Sequence, residues 1–90
     1  RGRAVRSRVV SALIDREAAR HADAMEQVVN HARTAFDADA RIVYGAGWVA
    51  LVVAGREVAR ERDADFGKAV ARLGAPVARK FAALYAGAAS

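Results

Sequence analysis

The feature that most constrains the fold is an uncharged run over 42–55, which reads IVYGAGWVALVVAG. It is bounded on both sides by arginines, Arg41 and Arg56. The run is shorter than the roughly 20 apolar residues that an α-helix needs to cross a bilayer, so membrane spanning is not expected. We therefore expect a segment that is buried in protein and covered on all sides.

Both helix and strand are compatible with this run, because its β-branched residues and glycines suit a buried strand as well. A helix is favoured by the flanking segments, which repeat their apolar residues at helical spacing, and because a lone strand would have no partner. The sequence therefore predicts one helix over 40–62. Its apolar first half would be followed by the charged segment REVARERD.

A long amphipathic helix is predicted upstream, over 9–36. Neither glycine nor proline occurs between Arg3 and Phe36, and apolar residues recur there at alternating spacings of four and three. Such a seam is typical of helices that pack side by side. Its members are Ala18, Ala22, Met25, Val29, Ala32 and Phe36.

A third helix is predicted over 64–87, after Asp63 and Asp65, which can cap its first turn. The segment Gly74-Ala75-Pro76 predicts either a kink or a split into two helices. An apolar stripe nevertheless stays in phase across it. The stripe consists of Phe66, Val70, Leu73, Val77, Phe81 and Leu84.

The predicted fold is all-α: a small helical bundle of three main helices in one domain over 1–90. Alanine is the commonest residue and Pro76 the only proline, and both facts favour helices. So short a chain has little surface with which to cover an all-apolar helix, so oligomerisation is expected to complete the bundle. The expected core residues that close the apolar stripes are Phe36, Phe66, Phe81 and Leu84.

The need to cover 42–55 predicts a non-catalytic structural or protein–protein interaction module. It would self-associate, or pack through this helix into a larger assembly such as a virion or another multi-protein machine. Small residues spaced along the run let backbones approach closely, and its aromatic residues suit core or interface packing. The predicted interface residues are Tyr44, Gly47, Trp48, Leu51, Val52 and Gly55.

The start of the chain supports a second interpretation. Residues 1–8 are predicted to form a basic, flexible arm, and they carry four arginines in a chain of net charge +5. Such an arm would bind phosphates with salt-dependent, sequence-independent affinity, as in a nucleic-acid-associated helical protein. The candidate polyanion contacts are Arg1, Arg3, Arg6 and Arg8. A third interpretation is a small ligand-binding bundle with its site between helices.

No catalytic, metal or cofactor site is predicted. The chain has no cysteine, which excludes disulfides and thiolate chemistry. Glu17 and His21 lie one helical turn apart, but two ligands are too few for a metal site, and His31 lies on another face. No pair of carboxylates is singled out for acid–base work. Neither a signal peptide nor a transmembrane segment is visible, so the sequence assigns no location.

The polyanion interpretation predicts that deletion of residues 1–8 weakens binding to generic DNA or RNA. Each phosphate neutralised by an arginine adds a salt-sensitive contribution, so the deletion should also flatten the salt dependence. Fluorescence anisotropy over a salt series measures both effects, with the full chain as the control. Unchanged binding after the deletion would place the contact elsewhere, and no binding by the full chain at low salt would end the hypothesis.

Overall fold

A computed structural model describes the backbone of residues 12–89 and the side chains of residues 12–86. The order of elements is two helices, three strands and one helix. The described part of α1 covers 12–20, and the other elements are α2 Ala22–Phe36, β1 Ala40–Gly45, β2 Trp48–Val53, β3 Arg56–Arg62 and α3 Phe66–Ala89. The fold is therefore α+β, and the predicted all-α bundle is wrong.

The segment predicted as a helix over 40–62 is a three-stranded antiparallel sheet with strand order β1-β2-β3. Two short turns divide it, Ala46-Gly47 and Ala54-Gly55. In the second turn both residues have positive φ, 52° and 78°, which is the conformation that tight two-residue hairpins require. A strand in this segment does have a partner, because the apolar run folds back on itself and β1 pairs with β2.

The sheet has an inner face, which packs on the helices, and an outer face. Since side chains alternate along a strand, the inner residues are Ala40, Ile42, Tyr44, Val49, Leu51, Val53 and Ala59. The outer face consists of Arg41, Val43, Gly45, Trp48, Ala50, Val52, Glu57, Arg60 and Arg62. A bulge at Val58 keeps Glu57 and Arg60 on the same face.

Helices α2 and α3 lie side by side on the inner face of the sheet. They approach closely at Gly74, where an added Cβ would lie 2.6 Å from Val28 Cγ2. Helix α3 is continuous, with Pro76 inside it, so the predicted split is wrong. The buried residues of α3 follow the predicted stripe in its first three turns; they are Phe66, Ala69, Val70, Leu73 and Val77.

The helix boundaries agree only in part with the predicted ones. His21, with φ −114° and ψ 19°, interrupts the predicted first helix, whose predicted start lies outside the described residues. The predicted end at Phe36 is confirmed, but Asp37 terminates α2 in the left-handed conformation instead of capping a following helix. Asp65 caps α3 as predicted, because the Lys68 N–H donates to its Oδ1 at 3.2 Å.

The end of α3 lies at the margin of the core. Phe66 is buried, Phe36 is half-buried against the core, Phe81 is half-buried outside it, and Leu84 is 47% exposed, so the prediction that all four are core residues is wrong for Phe81 and Leu84. The last residue of α2, Phe36, lies against Lys80 of α3, 4.6 Å from Nζ to the ring centroid. Helix α3 therefore continues the apolar stripe beyond the end of α2.

Paired truncations in α3 test this boundary of the core. Leu73→Ala should lower the free energy of unfolding by about 2–5 kcal/mol, because it opens a cavity among buried side chains. Leu84→Ala removes the same atoms from an exposed site and should cost less than about 1 kcal/mol. Urea denaturation followed by circular dichroism measures both values, and equal losses would contradict the marginal position of Leu84.

Candidate functional site

Strand β2 is apolar on both faces. Its sequence, WVALVV, contains no charged residue, although antiparallel strands with one wet face usually alternate apolar and polar residues. Uninterrupted apolar strands are typical of sheets that are covered on both sides. Helices α2 and α3 cover the inner face, and no helix of residues 12–89 packs on the outer one. The outer face is therefore the candidate functional site.

The outer face is built from three rows of residues that lie directly opposite one another on β1, β2 and β3. The middle row is Val43, Ala50 and Arg60. One end row is Gly45, Trp48 and Arg62, and the other is Arg41, Val52 and Glu57. The positions on β2 are all apolar and the charged residues lie on the neighbouring strands. The face thus has an apolar centre and charged margins.

Trp48 lies over Gly45 of the neighbouring strand. A Cβ built on Gly45 would overlap the indole ring, with only 2.7 Å to its Cε2 atom, so glycine alone leaves room for it. On the β3 side, the guanidinium of Arg60 lies over the same ring, with Cζ 4.3 Å from the centroid. This cation–π contact holds the guanidinium of Arg60 against the indole.

Glu57 orients the guanidinium of Arg60. Arg60 Nη2 donates to Glu57 Oε1 at 2.7 Å, and Nε donates to the same oxygen at 3.2 Å. The hydrogen bond from Arg60, aided by the positive charges of Arg60 and Arg62, lowers the pKa of Glu57 and keeps it ionised at neutral pH. The pair lies at the surface, so its main effect is on geometry and not on stability.

Part of the outer face is already buried. Ala50 has no exposed surface and Val52 is only 9% exposed, although neither belongs to the core beneath the helices. Arg60 lies directly opposite Ala50, and Glu57 lies directly opposite Val52. Apolar surface remains open at Val43 and Trp48, which are half-buried.

The margins of the face carry more positive than negative charge. Three arginines and one glutamate, 3 − 1, leave a net charge of +2. Arg60 is paired with Glu57, whereas Arg41 and Arg62 make no ion pair with any carboxylate in the described part of the chain. These two guanidinium groups lie at diagonally opposite corners of the face. They are available to a partner.

The structure separates the six predicted interface residues into three places. The outer face holds Trp48 and Val52. The inner face holds Tyr44 and Leu51, and Leu51 is fully buried beneath the helices. The turns hold Gly47 and Gly55, both with positive φ. Of the six, Trp48 and Val52 are therefore the ones that belong to the candidate site.

Tyr44 links α1 to the sheet within the chain. Its hydroxyl donates to Asp15 Oδ1 at 3.2 Å, and its ring packs edge-on against Phe66 with 5.6 Å between centroids. Burial raises the pKa of Tyr44, and the hydrogen bond and charge of Asp15 act in the same direction.

Both histidines of the chain lie against phenylalanine rings. His21 stacks on Phe66 and His31 on Phe81, with centroids 5.8 Å and 4.3 Å apart. Among the described residues, no group of three or more histidine, aspartate or glutamate side chains is placed to hold a metal ion. The four candidate polyanion contacts, Arg1, Arg3, Arg6 and Arg8, lie outside the described residues.

Seven residues of the outer face are absent from the predicted interface, because the sequence predicts a helix over 40–62 and therefore no strand faces. They are Arg41, Val43, Gly45, Ala50, Glu57, Arg60 and Arg62. A hairpin signal was nevertheless present: glycine-containing pairs at 46–47 and 54–55 bracket a six-residue apolar run. With the strands placed, the faces follow from alternation.

No protein-family model, curated protein or solved structure matches this chain. Within the described residues, no helix is long and apolar enough to cross a membrane.

The contact between Gly45 and Trp48 can be tested by fluorescence, because Trp48 is the only tryptophan. Gly45→Ala should push the indole off the sheet and into water, so its emission should shift to longer wavelength. Gly55→Ala is the control: its φ of 78° makes it strained, but nothing lies within 4 Å of its added Cβ. Unchanged emission from Gly45→Ala would contradict the described position of the ring.

Proposed function

We propose that this protein is a non-catalytic structural module that self-associates through the outer face of its sheet, as a protomer of a larger assembly. The observation that carries the proposal is that β2 is apolar on both faces while the helices of residues 12–89 cover only one. A second sheet packed against the outer face, about 10 Å away, would supply the missing cover.

The size of the outer face indicates how strong this contact is. Three strands about 4.8 Å apart and some five residues of about 3.4 Å each give a footprint of roughly 240 Å². Stable interfaces bury about 800 Å² on each partner. The face alone therefore supports a modest affinity, and we expect association at high protein concentration or where several contacts act together.

A matched pair of valine substitutions tests the proposal. Val43→Lys places a charge on the outer face, where association would bury it, whereas Val58→Lys places one beside α3, away from that face. The parent and Val58→Lys should gain mass with concentration in sedimentation equilibrium. Val43→Lys should stay monomeric where they are assembled.

Circular dichroism establishes that both variants fold, which Val43→Lys should do because Val43 is only half-buried. A parent chain that stays monomeric at every concentration contradicts self-association. A Val43→Lys variant with the mass of the parent contradicts the outer face as its site.

A further inference from the structure

The charges of the outer face define how two copies would meet. We propose that two chains pack outer face to outer face about a two-fold axis parallel to β2, with Arg41 of each copy paired to the partner's Glu57. This arrangement rests on the proposed function, because it specifies the geometry of the same self-association. It requires a contact between like surfaces of the two copies, as two-fold dimers do.

The arrangement follows from the positions in the rows. A rotation about an axis parallel to the strands exchanges the sides of β1 and β3 and keeps each row opposite its own counterpart. In the end row of Arg41, Val52 and Glu57, Arg41 then lies opposite the partner's Glu57. Val52, in the middle of the row, lies opposite the partner's Val52. By symmetry the ion pair forms twice.

Arg41 and Glu57 each have the capacity to form this ion pair. Arg41 is exposed and has no carboxylate within ion-pair distance among residues 12–86. Glu57 uses mainly Oε1 for Arg60, with bonds of 2.7 and 3.2 Å, while Oε2 accepts only one longer bond of 3.3 Å. A carboxylate oxygen with a free lone pair can accept a second guanidinium.

The other end row fits the same rotation. Gly45, over which the indole of Trp48 lies, comes opposite the partner's Arg62. Arg62, which makes no ion pair in the described part of the chain, therefore faces an uncharged residue of the partner. Because each indole leans towards its own β1, the two rings lie on opposite sides of the axis and do not collide.

Two different two-fold axes could lie between the packed faces, one parallel and one perpendicular to the strands. The charges favour the parallel axis. An axis perpendicular to the strands would place each residue of the middle row opposite its own copy, so Arg60 would face the partner's Arg60. Like charges brought together in this way oppose association. The axis parallel to β2 places Arg60 opposite the partner's Val43 instead, and no two like charges face each other in any row.

Charge reversal at the two corners tests the arrangement. Arg41→Glu alone would set the introduced carboxylate against the partner's Glu57, and Glu57→Arg alone would set two arginines against each other. Each variant by itself should dimerise at least about tenfold more weakly than the parent. In an equimolar mixture of the two variants every corner pair is again oppositely charged, so a heterodimer should form with about the affinity of the parent.

Two controls distinguish loss of the ion pair between Arg41 and the partner's Glu57 from a general effect of the net charge. Arg56→Glu changes the net charge as much as Arg41→Glu but lies outside the outer face, so it should dimerise like the parent. Glu57→Gln removes the negative charge without reversing it, and its amide oxygen can still accept from Arg60, so it should weaken dimerisation less than Glu57→Arg. Circular dichroism and Trp48 emission establish that each variant is folded before sedimentation equilibrium and native mass spectrometry are used.

The outcomes distinguish this arrangement from the proposed function itself. Restored dimerisation in the mixture supports the paired corners. Loss of dimerisation in both variants without recovery in the mixture, or no loss in either, overturns the axis, while the effect of Val43→Lys still decides the proposed function. A parent chain that is monomeric throughout overturns both, and an acidic partner of different sequence then becomes the occupant to seek.

Discussion

The fold depends on the pairing of β2 with a strand on each side. Burying an apolar segment also buries its backbone N–H and C=O groups, which must find hydrogen-bond partners. The antiparallel ladders to β1 and β3 supply these partners from the residues immediately before and after. Once the backbone groups of β2 are hydrogen-bonded in this way, Leu51 and its neighbours form a surface on which α2 and α3 can pack.

The same pairing creates the candidate site. Alternation along β2 sends Val49, Leu51 and Val53 to the helices and leaves the other three side chains on the outer face. The bulge in β3 then brings Glu57 and Arg60 to that face, where Arg60 can reach the indole of Trp48. The inner face of β2 is thus covered by helices. On its outer face the side chains of Trp48 and Arg60 lie against each other.

Local signals in the sequence were reliable where the chemistry is local. The end of α2, the cap at Asp65 and the apolar stripe of α3 as far as Val77 were predicted correctly, because each depends on neighbouring residues. The run over 42–55 was predicted wrongly because an uninterrupted apolar segment has no periodicity that separates helix from strand. Of the candidate site, Trp48 and Val52 were predicted, while its charged margins depended on a strand register that the prediction lacked.

The sequence by itself determined that 42–55 must be buried, that helices flank it, and that positive charge is concentrated in residues 1–8, since these follow from composition and spacing. Tertiary structure alone decided which side chains of that run face the helices and which face outward, because one residue of register exchanges the two faces. It also decided that Leu84 stays exposed although its spacing matches the core stripe, because burial requires a neighbour, and α3 extends beyond α2.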